Sequence, residues 1–256
     1  MRRKSIKLCV DREVPPDFRV AAQIAAVEER ADTRPVIDFK LLPPGAAVSS
    51  IAALTGKLWK PGRTLRVSFL DGDPLIQQKI QPFAHVWSQV ANIKFEFGND
   101  PNAEIRISFK QAGSWSYIGT DALAIPKNKP TMNYGWFTAK TTDDEYSRVV
   151  THEFGHAIGL IHEHQNPQAR IPWDKEAVYA SYSGPPNNWT REQVDVNLFK
   201  LYSRWFTKST RFDTESIMLY PIPRDLVTND EYVVGWNRAL SARDKEAIGR
   251  WYPKKK

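Results

Sequence analysis

At 256 residues, 41% hydrophobic and 25% charged, the chain has ordinary globular composition and enough length to bury a substantial core. One cysteine excludes an intramolecular disulfide, and no apolar run approaches the roughly 20 residues of a membrane helix. A net charge of +7 and a pI near 9.4 would suit nucleic acid. The basic residues are scattered, however, and cluster only at Arg2-Arg3-Lys4 and Lys254-Lys255-Lys256, so no specific nucleic-acid role is expected.

Residues 1–55 differ in character from residues 56–256, and the two are read as an N-terminal segment and a main domain. The start is basic but soon returns to charge, which is not the pattern of a signal peptide. The compartment is left open, since a lone cysteine suits a reducing one without proving it. Pro15-Pro16-Asp17 opens a short helix to about Ala31, with Val20, Ala21, Ile24 and Val27 as its apolar stripe. Residues Val36 to Leu42 read as a strand broken by Pro43-Pro44-Gly45.

From Trp59 the pattern is that of an α+β protein. Leu65, Val67 and Phe69 alternate with polar residues as a half-buried strand ending at Asp71-Gly72. Asp73 then caps a helix whose stripe is Ile76, Ile80, Phe83, Ala84, Trp87 and Val90, with Pro82 expected to kink it. His85 in this helix reads as an ordinary, partly buried histidine. Strands follow at Ile93 to Phe97 and Ile105 to Phe109, and Thr131 to Phe137 reads as the edge strand of the sheet. Asp143-Asp144-Glu145 favour the start of a further helix, and Thr190 with Gln193 forms a capping box. The Asn188-Trp189-Thr190 sequon is read as an unmodified loop.

The chemistry is concentrated in the eleven residues from His152 to His162. On a helix His152 and His156 share a face, one turn apart, with Glu153 beside them as a candidate base. Gly159 permits a sharp helix exit that brings His162 round as a third nitrogen ligand. Three protein ligands leave one coordination position open, as in a catalytic zinc site. With 13 Gly and five His in the chain, the added Gly and His cut chance matches to the five-residue pattern by about a thousandfold.

The pattern HExxHxxGxxH resembles the metzincin zinc-peptidase signature, and Ser216-Ile217-Met218-Leu219-Tyr220 resembles the methionine-containing turn of those enzymes. Glu163 after the third histidine, Trp115-Ser116-Tyr117-Ile118-Gly119, Phe212-Asp213-Thr214-Glu215-Ser216 and Leu240-Ser241-Ala242-Arg243-Asp244 are similar to astacin motifs. The likeness runs from about Trp59 to Tyr252. Two features depart from it: the disulfide cysteines of astacins are missing, and Leu219 stands where a histidine usually precedes the tyrosine.

The resemblance implies a metzincin-like fold: a twisted mixed sheet with an edge strand over the cleft, a zinc-binding helix, and the methionine turn in a C-terminal subdomain. It implies an endopeptidase with one Zn²⁺ on His152, His156 and His162, Glu153 as the catalytic base, and Tyr220 as an extra ligand and oxyanion stabiliser. Met218 would form an apolar floor, with Gly159 and Glu163 as structural residues and Glu163 accepting a mature N-terminal ammonium. Thr131, Asn133, Tyr134 and Gly135 would bind extended substrate by β-augmentation. A matrixin- or pappalysin-type enzyme and a non-catalytic binding module are the rival readings. A monomer acting on protein or peptide substrates is expected, and the family resemblance favours secretion. The N-terminal segment is either a permanently packed subdomain or a pro-segment over the cleft. In the second case Cys9 or Asp11 would block the metal, whereas the plainer role of Cys9 is that of a small buried hydrophobe.

Overall fold

The computed structural model describes residues 9–10, 12–33, 56–185, 187–202 and 211–254. Five strands, β1 (Thr64–Phe69), β2 (Lys94–Phe97), β3 (Ile105–Ser108), β4 (Ser114–Ser116) and β5 (Met132–Tyr134), form one sheet in the order β2-β1-β3-β5-β4. The first four in that order are parallel and β4 is antiparallel to β5. The alternation in β1 works as its sequence predicts, with Leu65 and Val67 fully buried. The expected strand at Val36 to Leu42 and residue Asp11 lie outside the described residues.

The edge strand is not where the sequence places it. Thr131 to Phe137 contributes β5, which pairs with β3 on one side and β4 on the other, so β4 is the edge. Three residues are too short for alternation to show in a sequence. Thr131, Asn133 and Tyr134 are all buried: Thr131 Oγ1 accepts from Arg106 N–H (2.8 Å), and Asn133 Nδ2 donates to the Gln111 (2.9 Å) and Gly113 (2.7 Å) carbonyls. Gly135 N–H donates to Gly113 O at 2.9 Å. These residues are therefore tied to β3 and to the loop between β3 and β4, in a strand whose main chain is already paired on both sides.

The helices packing behind the site are α2 (Pro74–Val90) and α3 (Asp143–Ala157). Asp73 caps α2 through Leu75 N–H, and the helix buries Ile76, Ile80, Ala84 and Trp87, with Pro82 inside it. Trp87 Nε1 donates to the Thr151 carbonyl of α3 at 2.8 Å, which sets the two helices in register. Thr142 caps α3 and three acidic residues fill its first turn, favourable for the dipole. His85 is half-buried against Phe95 and Phe97. The C-terminal half has fewer regular elements: α4 (Lys175–Tyr182), α5 (Arg191–Val194, with the Thr190–Gln193 capping box) and α6 (Ala242–Trp251).

In the N-terminal segment a turn at Pro16–Phe18 leads into α1 (Arg19–Glu29). The docked face is Ala22 and Ala26, while Val20 and Ile24 are 59% and 54% exposed. The apolar stripe thus points away from the body, because small residues allow a closer approach of α1 to Ile118–Ala124 than branched ones would. A satellite cluster of Val14, Ala22, Trp115, Tyr117 and Ile125 covers the contact. Arg30 anchors the helix end by donating to the Trp59 (3.1 Å) and Trp251 (2.9 Å) carbonyls.

Trp59 ties these parts to the end of α3. Its indole donates to Ala157 O (2.8 Å) and its N–H to the Tyr252 hydroxyl (2.9 Å), which in turn donates to Ile158 O (2.6 Å). Trp59→Ala removes a fully buried side chain and leaves Ala157 O unpaired. It should cost about 3–5 kcal/mol, to be read from the denaturant midpoint against wild type. A loss under about 1 kcal/mol would show that the end of α3 is held by other contacts.

Candidate active site

His152, His156 and Glu153 project from the last two turns of α3, and all three are buried. The helix ends at Gly159, whose φ of +101° lies in the left-handed region. A Cβ there would also approach Leu58 Cδ2 to 2.8 Å. Beyond that turn His162 comes back to the other two imidazoles, so that one ligating atom from each of the three lies within 4.8 Å of the others.

Their hydrogen bonds fix which nitrogen faces inward. His152 Nδ1 lies 2.8 Å from the Ile217 carbonyl and His156 Nδ1 2.9 Å from that of Leu160, so each donates outward and turns an Nε2 lone pair inward. His156 Nε2 is then 3.1 Å from Nε2 of both His152 and His162. Burial and the neighbouring imidazoles push the pKa of His152 and His162 well down, so both remain neutral and able to ligate. Neutral lone pairs at that separation repel unless a cation sits among them. Tetrahedral zinc with nitrogen at 2.0–2.1 Å implies spacings of about 3.3 Å, so the set fits that ion.

The methionine turn lies directly beneath. A Cβ on Gly155 would stand 2.4 Å from Met218 Sδ, so this glycine is what lets the floor approach the helix. Asp244 clamps the turn from the first residues of α6. It accepts from Ser216 Oγ (2.7 Å), Ile217 N–H (2.9 Å) and Ser241 N–H (3.0 Å), while the Ile217 carbonyl orients His152. Glu163 joins from the other side: its N–H donates to Met218 O at 3.0 Å, and its carboxylate accepts from Asp213 N–H (3.0 Å) and Asn166 Nδ2 (2.9 Å).

Tyr220 packs against His162 and His164, with ring centroids 4.3 and 4.5 Å away. Its hydroxyl donates to the main-chain carbonyl of Cys9. Burial first, and then the charge of the Glu153 carboxylate, push the pKa of the Cys9 thiol well up. Cys9 makes a parallel bridge to Ser114, and Val10 N–H donates to Ser114 O at 3.0 Å. Residues 9 and 10 thus run along the β4 edge, and Cys9 meets the Tyr220 hydroxyl.

The model of the astacin peptidase family matches residues 54–252. The chain belongs to that family. A structure of myroilysin is 48% identical with a TM-score of 0.76, covering 79% of this chain and 98% of its own. The zinc metalloproteinase nas-38 of Caenorhabditis elegans is 24% identical over 213 residues, 77% of this chain, which spans about a quarter (26%) of that curated relative's length. The hatching enzyme HCE-1 of the medaka Oryzias latipes, a zinc-protease, shares the fold at a TM-score of 0.55 and 18% identity, covering 77% of this chain and 94% of its own. Membership sets aside the matrixin and pappalysin alternatives, and the fold is that of metzincins.

The astacin motifs converge in space as their spacing implies, with Glu153, Tyr220, Met218, Gly159 and Glu163 all at or beneath the three imidazoles. Sequence reasoning missed the β4 edge and the Ile217 and Leu160 carbonyls. Trp115-Ser116 was the signal for the first, and the carbonyls leave none, since main-chain acceptors are the same for every residue. Glu163 supplies a pH test. No ion pair among the described residues involves it, and burial pushes its carboxyl up to about 8. The folded state therefore keeps a proton that the unfolded chain releases near pH 4.5, so this group's contribution is full below that pH and is lost as pH rises to about 8. Glu163→Gln, which never ionises, should gain stability relative to wild type across that range in metal-free protein. A difference independent of pH would show that Glu163 is already ionised by a cation.

Proposed function

We propose that this astacin-family protein is a zinc-dependent endopeptidase that hydrolyses internal bonds of proteins or peptides. One observation carries the reading: His156 Nε2 lies 3.1 Å from Nε2 of both His152 and His162, beside a buried carboxylate and a tyrosine hydroxyl. His152, His156 and His162 would hold the ion. Bound there, zinc lowers the pKa of a water and polarises the scissile carbonyl. Glu153 takes the proton from the attacking water and returns it to the leaving amine, acting as base and then acid. The Tyr220 hydroxyl, once released from Cys9, donates to the developing oxyanion. The intact base speaks against a binding module, which has no chemical need of Glu153.

Glu153→Gln should keep the metal and lower the rate by at least about 10²- to 10⁴-fold. Near-normal turnover with full metal content would sink this mechanism. Tyr220→Phe should lower kcat by about 10²- to 10³-fold with peptide affinity little changed. A loss of affinity alone would assign Tyr220 to packing.

We further infer that residues 1–55 are a pro-segment and that residue 9 keeps the enzyme latent. What supports this is one residue that holds the Tyr220 hydroxyl, has a buried thiol that feels the Glu153 charge, and lies on the sheet edge that extended substrate would need. Cys9 would block the site with its thiol and its carbonyl together. Cys9→Ser should therefore be only partly active before processing, and Asp11→Asn should behave as wild type. Cleavage near Gly56 would free an ammonium for Glu163. N-terminal sequencing of fully active protein decides the matter: an intact start at Met1 or Arg2 would rule out proteolytic maturation.

A further inference from the structure

One buried imidazole has no part in the reaction above. His164 lies two residues past the third metal ligand, on the short turn Glu163–Gln165, and is 1% exposed. Its Nε2 stands 2.7 Å from the Asn197 carbonyl, and a ring nitrogen that faces a carbonyl must donate. That carbonyl belongs to the π-helical turn Asp195–Phe199, which follows α5. The last carbonyls of a helix find no partner within it, and here two of them are met from one neighbouring turn. His164 takes Asn197 O, and Gln165 Nε2 donates to Val196 O at 3.0 Å. The acceptor is itself fixed, because Asn197 Nδ2 donates to Gln193 O (2.7 Å) and Tyr202 N–H returns a bond to Gln165 O (2.9 Å).

The ring held in this way lies against two rings of the site. Its centroid is 4.5 Å from that of Tyr220, with 32° between the planes, and 5.1 Å from that of His162, with 27°. His162 and Tyr220 are 4.3 Å apart, so the three rings close a triangle in which none can tilt without moving the others. Tyr220 is thus held in two ways, by the bond from its hydroxyl to Cys9 O and by the imidazoles against its ring. Once Cys9 leaves, the ring contacts remain to keep the hydroxyl aimed. Burying an imidazole beside another costs desolvation that a phenyl ring would avoid, so filling space does not account for a histidine at this position.

We propose that His164 is a positioning residue: tethered to Asn197 O, its ring holds Tyr220 in the orientation from which the hydroxyl meets the oxyanion. The proposal rests on the peptidase reading above and on the role given there to Tyr220. The π-helical turn is thereby the far anchor of a group at the reaction centre. A misplacement of about 1 Å can cost about 10²-fold in rate. The effect is bounded by the worth of the hydroxyl itself, about 10²- to 10³-fold.

The test is a double-mutant cycle on peptide hydrolysis by the full chain, taken after its activity has reached its maximum. His164→Gln keeps a donor for Asn197 O and His164→Leu keeps the volume, but each lacks the flat ring, and thermal midpoints report folding. Each should lower kcat about tenfold to hundredfold, with KM changed by less than about twofold and zinc content unchanged. Added to Tyr220→Phe, the same substitutions should lower kcat by less than about twofold further, because the hydroxyl they aim is already gone. In metal-free protein carrying ¹³C-labelled tyrosine, the ring signal of Tyr220, assigned by its absence from Tyr220→Phe, should shift in both variants. An unchanged kcat in either folded variant, an unmoved ring signal, a full further loss in the Tyr220→Phe background or a loss of zinc overturns the proposal alone. Failure of both variants to fold would assign His164 to the fold and overturn it as well. Full kcat in Tyr220→Phe removes the role of Tyr220 and the proposal with it, and no cleavage of any peptide by wild type removes both together with the peptidase reading.

Discussion

Three imidazoles gathered with His156 Nε2 3.1 Å from Nε2 of each of the other two are the constraint from which the rest of this structure follows. Neutral nitrogens do not gather this way for their own sake. They are driven together by outward bonds to two main-chain carbonyls, and those carbonyls belong to segments that must themselves be held. Leu160 lies just past the Gly159 turn, and Ile217 lies in the methionine turn. The end of α3 is fixed through Ala157 and Ile158 by Trp59 and Tyr252, and the methionine turn is fixed by Asp244 and Glu163. A metal ion bound at the centre would relieve the repulsion and so stabilise the whole arrangement.

The carboxylates beneath the turn illustrate the cost of that rigidity. Glu163, Asp213 and Asp244 are linked through Asp213 N–H, the Ser241 hydroxyl and the Ser241 N–H. Burial raises the pKa of Glu163 and Asp244, so the cluster favours protons or a nearby cation. Glu163 and Asp244 are committed to main-chain N–H groups that a tight turn would otherwise leave unpaired. These bonds hold the floor still beneath the imidazoles, and the local charge balance is the poorer for it.

Much of this was legible in the sequence, for a physical reason. Ligands spaced by helical geometry must lie on consecutive turns, and a glycine is needed where φ becomes positive, so His152, His156, Gly159 and His162 announce themselves. The periodicities of β1 and α2 were equally readable because each buries one side only, whereas α3 is buried all round from Arg148 to Ala157 and was marked by its ligands. Legibility failed where the period could not develop or where contact depended on the partner surface. The three residues of β4 are too few to alternate, and β5, flanked on both sides, is buried on every face like any inner strand. In α1 the larger apolar residues Val20 and Ile24 outline a stripe, yet the small Ala22 and Ala26 make the contact. A helix docked closely on another surface is selected for shape more than for hydrophobicity.

Residue 9 occupies a point where edge strand, base and tyrosine meet, and α3 determines what else is within reach. Arg148, His152 and His156 follow one another at four-residue steps on one face, with Glu153 next to the first histidine. Val149, Val150, Phe154 and Ala157 pack the other side into the core. The backbone that presents the metal donors also presents the guanidinium, so its place along the helix relative to the histidines is set by helix pitch. Trp236 and Glu145 then remove the remaining freedom of the Arg148 side chain. That ordering is built in on folding, and through Trp236 it ties the segment before α6 to the helix that carries the metal donors.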